Sequence, residues 1–123
     1  MSSPLSDITD FTCAGLHVTI HEEWQKLLLN GRNIALTPTE YRLCMAFFQQ
    51  WRSEKREPIM HKDGWIILAY LNVTELQRRT ALASKQLLRK HISNTNGKLA
   101  PFALHIKAFE RGYIFLIRAA QRS

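Results

Sequence analysis

The chain has only two cysteines, Cys13 and Cys44. Two cannot build a disulfide framework, and their spacing makes no metal site. Cys44 sits within an apolar run and reads as a small core residue; Cys13 lies in a polar stretch that suggests no role. Long hydrophobic runs are also missing. The longest uncharged apolar stretch, Gly64 to Val73, is far short of the roughly 20 residues that cross a bilayer. The first fifteen residues lack the basic start and apolar run of a signal peptide. The expectation is therefore a cytoplasmic protein, not a membrane protein. Equally absent are a serine elbow, a phosphate-cradling glycine loop and paired carboxylates. His17 and His21 have a spacing that suits a metal on a helix, but alternation places them on a strand with no third ligand nearby. No enzyme activity, cofactor or metal is expected.

Acidic residues are the most informative scarcity. Residues 1–61 carry six Lys/Arg and seven Asp/Glu, whereas residues 62–123 carry eleven and three. The net charge of +7 thus resides in the second half. From Arg78 to Arg118 there are nine basic residues and one acid, Glu110. Such one-sided excess is the electrostatic signature of a polyanion partner.

The chain is 123 residues long, enough for one domain, and 46% of it is apolar, enough for a packed core. Residues 1–15 read as a flexible leader, 16–118 as the domain and 119–123 as a tail. Leu16, Val18 and Ile20 alternate with polar neighbours, as on a half-buried strand. Gln25–Leu29 and Arg32–Leu36 meet across Asn30-Gly31, the strongest short hairpin signal. Thr37-Pro38-Thr39-Glu40 then opens a helix. Thr37 caps it, Pro38 suits its first position and Glu40 completes a capping box. This helix is expected to reach Trp51 and to be buried almost all round.

After the charged loop Arg52–Glu57 and Pro58, Ile59–His61 reads as a short strand and Lys62–Leu71 as a second helix. Thr74-Glu75-Leu76-Gln77 reads as a capping box opening a short helix to Arg79. Ser84 starts another helix, Lys85 to about Asn94, stopped by Asn96-Gly97. Finally Phe102, Leu104 and Ile106 share one strand face, Glu110-Arg111-Gly112 turns, and Tyr113, Phe115 and Ile117 return. The expected fold class is α+β: an N-terminal antiparallel sheet, three to four helices and a C-terminal β-hairpin.

Two short helices, a tight turn and a hairpin are the layout of a winged helix-turn-helix, whose second helix enters the DNA major groove. At 100° per residue, Lys85, Gln86, Arg89, Lys90 and Ser93 fall within about 140° of one another. Leu87, Leu88, His91 and Ile92 take the other side, with His91 read as a packed histidine. Arg forks onto guanine and Gln onto adenine, so this face is the candidate for base readout. Arg78, Arg79, Thr80 and Ser84 before it, and Lys107, Arg111 and Tyr113 on the hairpin, are candidates for backbone contacts that fix register.

Ile34 to Leu43, reading I-A-L-T-P-T-E-Y-R-L, resembles the L-T-P-T-E-Y-x-L-L signature of OmpR/PhoB-type output domains. Leu88-Arg89-Lys90 resembles that family's L-R-K, and Arg111-Gly112-Tyr113 its R-G-x-G-Y wing turn with one glycine missing. The resemblance spans about residues 16–117. It implies a winged helix that binds promoter DNA, commonly as a dimer on direct repeats, standing here without a receiver domain. The resulting expectation is a nucleoid-associated transcriptional regulator with double-stranded DNA as partner and a homodimer on the DNA. The alternative is a winged helix used for protein docking, with an acidic protein or an RNA polymerase subunit as partner. RNA ranks last, because no exposed aromatic platform is evident.

Overall fold

The computed structural model describes residues 8–54, 57 and 59–118. Over these residues the protein is α+β, with two four-stranded antiparallel sheets, three α-helices and two short 3-10 turns. Residues 1–7 and 119–123, parts of the expected leader and tail, lie outside the described residues.

Turns organise the N-terminal sheet, β1 (Ile8–Cys13), β2 (Leu16–His21), β3 (Lys26–Leu29) and β4 (Arg32–Ile34), in that spatial order. Asn30 and Gly31 have φ of 51° and 80°, as a type I′ turn requires. The Asn30 side chain also accepts the His17 backbone N–H at 3.0 Å. Ala14 and Gly15 turn in the same sense, with φ of 49° and 86°. That turn recruits residues 8–13 into the sheet, so the expected leader is a strand from Ile8 onward. Cys13, far from being idle polar chain, is fully buried. Burial pushes its thiol, and that of Cys44, up to about 12, which leaves both unreactive at neutral pH.

Helix α1 (Pro38–Glu54) begins where the sequence placed it. Glu40 accepts the Thr37 N–H at 2.9 Å and Thr37 Oγ1 accepts the Glu40 N–H at 3.2 Å, a reciprocal capping box. The helix joins the two sheets. Phe48 meets Phe11 of β1 edge-on, with ring centroids 5.8 Å apart. Phe47 and Phe48 flank Phe115 of the second sheet at 5.3 and 5.1 Å. Phe47, Phe48 and Phe115 are fully buried, in one continuous core.

The second sheet has the order β5 (Ile59–Met60), β6 (Trp65–Asn72), β8 (Gly112–Arg118), β7 (Leu104–Phe109). Here the expected helix Lys62–Leu71 is corrected: Lys62–Gly64 is a 3-10 turn and Trp65–Asn72 is a strand paired with β8. A short apolar run of this kind has no polar alternation, and periodicity alone cannot separate it from a buried helix. Its isoleucines and aromatic residues favour the strand. Strand β8, central in the sheet, is buried from Gly112 to Ile117.

Between β6 and β7 the chain inserts α2 (Val73–Thr80) and α3 (Lys85–Leu99). Asn72, not Thr74, caps α2: its side chain accepts the Glu75 N–H at 2.8 Å. Helix α3 does not stop at Asn94 or at Asn96-Gly97. It continues to Leu99, because Asn96 has another task. Its amide donates to the Ile106 carbonyl at 2.9 Å and accepts the Ile106 N–H at 2.8 Å. Helix α3 thereby satisfies outward backbone groups of β7, an edge strand that is otherwise open to pairing.

Candidate nucleic-acid interface

Helix α2 is held against α1 by one arginine. Arg79 donates from Nη1 to the Ala46 carbonyl and from Nη2 to Gln50 Oε1, both at 3.1 Å, and from Nε to Glu75 at 2.9 Å. Glu75 also takes the Arg78 guanidinium. The hydrogen bonds from Arg78 and then Arg79 hold its carboxyl down at about 2. The turn into α3 uses Ala81 in the left-handed region, with φ of 59°. The Leu82 N–H bonds to the Gln77 carbonyl and the Gln77 side chain to the Ala83 carbonyl. Ser84 then caps α3, its hydroxyl accepting the N–H groups of Gln86 and Leu87 at 3.1 and 3.3 Å.

Burial along α3 follows the helical period. Leu88, Ile92, Thr95 and Leu99 are buried. Lys85, Gln86, Arg89, Lys90 and Ser93 are all exposed. No hydrogen bond or ion pair occupies these five side chains among the described residues. One helix thus has an apolar side locked into the core and an opposite side carrying three cations, an amide and a hydroxyl free for a ligand. Leu87, expected on the inner side, is 47% exposed and stands beside Gln86.

The hairpin β7–β8 closes with the two-residue turn Glu110-Arg111, since Phe109 and Gly112 are register partners. Arg111 and Lys107 are exposed. The Arg111 carbonyl accepts the N–H of Val73, the first residue of α2, at 3.0 Å. The hairpin base and the helix pair are therefore one hydrogen-bonded assembly.

Three residues expected at the interface are turned elsewhere. The Thr80 side chain is buried and donates to the Leu76 carbonyl at 2.6 Å. Tyr113 is 9% exposed and belongs to the core. Arg79 is committed to α1, as described. Arg78 remains mostly exposed while paired with Glu75. Three aromatic residues, Trp24, Tyr70 and Phe109, are exposed. Tyr70 and Phe109 meet at 81°, which presents edges and no shared flat face for successive bases.

Among the described residues, no group of three His, Cys, Asp or Glu side chains could hold a metal, and His17 pairs with Asp10. Among the same residues, no helix is long and apolar enough to cross a membrane. Compared with protein-family models, with curated proteins and with solved structures, the chain matches none of them.

Proposed function

We propose that this chain is a winged helix-turn-helix protein that binds double-stranded DNA sequence-specifically and regulates transcription, as its resemblance to OmpR/PhoB-type output domains implies. The observation that carries the reading is the face of α3. Lys85, Gln86, Arg89, Lys90 and Ser93 are exposed and unpartnered on a helix whose other side is anchored in the core. A helix presented in this way fits a major groove, with Arg89 reading guanine and Gln86 adenine. Exposed Leu87 adds an apolar group suited to a thymine methyl. Arg78, Ser84, Lys107 and Arg111 contact phosphates, while Arg79, Thr80 and Tyr113 support the fold. Two copies bind paired half-sites, and the protein resides with the nucleoid.

Selection of bound sites from a random duplex pool tests this reading. The expected result is an enriched motif, with a second copy at fixed spacing if two subunits bind. A gel shift with random duplex at low salt, with heparin as competitor, gives the complementary measurement. Retention of an acidic protein partner with no DNA shift at low salt would favour the docking alternative.

A further inference from the structure

The second sheet has a face turned away from α3. Leu104 and Ile106 of β7 belong to the core, so the alternating His105 and Lys107 lie on the opposite face. There, a groove of about 660 Å³ runs between β7, β8, the His61–Trp65 turn and the segment after α3. Its volume falls in the range of small-molecule sites, roughly 300–1,000 Å³. Its floor is apolar, lined by Trp65, Leu116, Ala100 and Ala103. Its rim is mostly cationic, with Lys62, Lys107 and Arg118 and a single carboxylate, Asp63.

Two further features mark it as more than a surface dip. His61 lines the groove, and its Nε2 is buried without a hydrogen-bond partner. Buried polar atoms are nearly always paired, so this nitrogen is an exception in the groove wall. The Trp65 and His105 rings also flank the groove with centroids 6.2 Å apart. Burial, and then the Lys107 charge, lower the pKa of His105, so at neutral pH it stands as a neutral ring able to donate or accept.

The geometry points to a binding site for a small planar aromatic anion, its ring against Trp65 and its carboxylate or phosphate held by Lys62 and Arg118. Apolar floor and cationic rim together select such a molecule over a neutral aromatic or a bare inorganic anion. The site shares Lys107 with the proposed phosphate contacts but stands apart from the α3 face, and DNA plays no part in its test.

Amide chemical shifts of the full chain are followed by NMR while 2-naphthoate, 2-naphthalenemethanol or inorganic phosphate is added. Naphthoate is expected to saturate, with shifts gathered at residues 61–65, 103–107 and 116–118. The neutral alcohol and the phosphate are each expected to bind about tenfold more weakly. Lys62→Gln with Arg118→Gln changes two exposed side chains, so the thermal melt is expected to hold while naphthoate affinity falls about tenfold. Shifts that do not saturate, equal binding of the alcohol or of phosphate, or a double variant that binds naphthoate as before would each overturn the assignment.

Discussion

Gly112 is decided by its neighbours' backbone. A Cβ built there would lie 2.3 Å from the Leu71 carbonyl oxygen and 2.6 Å from the Asn72 Cα. Neither atom can step aside without moving β6. Gly112→Ala is expected to cost about 2–3 kcal/mol, as an overpacked core does, and chemical denaturation measures it. Asn96 is a second such residue. Asn96→Ala leaves two backbone groups of Ile106 without partners and is expected to cost about 1–3 kcal/mol. Arg89 differs, because nothing in the fold depends on it. Arg89→Ala should leave the melt unchanged and weaken the preferred site by about 1–3 kcal/mol relative to a variant base at one position. Sequence alone showed that Lys85, Gln86, Arg89, Lys90 and Ser93 share the exposed side of α3, because burial follows a simple period, but it placed Leu87 on the inner side. It did not show that Arg79 and Tyr113 turn inward, because those directions depend on partners distant in the chain, nor that Thr80 donates to the Leu76 carbonyl. Ala46 and Gln50, which hold Arg79, are an example.

At the scale of the element, the caps of α1 and α3 and the Asn30-Gly31 turn were legible, while the Asn72 cap of α2 and the buried strand were not. Thr37 and Glu40 make their box, and Asn30-Gly31 makes its turn, because each is settled within a few residues. Strand β6 is settled by pairing with β8, more than forty residues along the chain. Asn96-Gly97 suggested a helix end only because the Ile106 edge it serves was out of view. Glu40 shows how a local motif acquires a tertiary role. Its carboxylate also receives Lys98, at the end of α3. Burial raises its pKa, but hydrogen bonds from Lys98 and Thr37 outweigh that and hold it below the ordinary carboxylate value. A lowered folded-state pKa contributes stability that is complete above the unfolded value, near 4.5, and is lost as pH falls through the folded value. Stability measured from pH 6 down to pH 3 should therefore fall more steeply for the native chain than for Glu40→Gln.

For the whole molecule, the division of charge is the governing fact. The N-terminal sheet and α1 come from a nearly balanced half. The helix pair and hairpin come from the half with eleven cations and three acids. The fold leaves α3 between its buried stripe and solvent, with Lys85, Arg89 and Lys90 outward. Six exposed cations, Arg78, Lys85, Arg89, Lys90, Lys107 and Arg111, are the proposed phosphate and base contacts. The most direct measurement is the affinity for duplex DNA across a range of salt, for the native chain and for Lys107→Gln with Arg111→Gln. The account predicts a log–log slope of about −3 for the three cations assigned to phosphates, Arg78, Lys107 and Arg111, reduced in magnitude to about −1 in the variant. An affinity that ignores salt, or a slope the two substitutions leave unchanged, would contradict it.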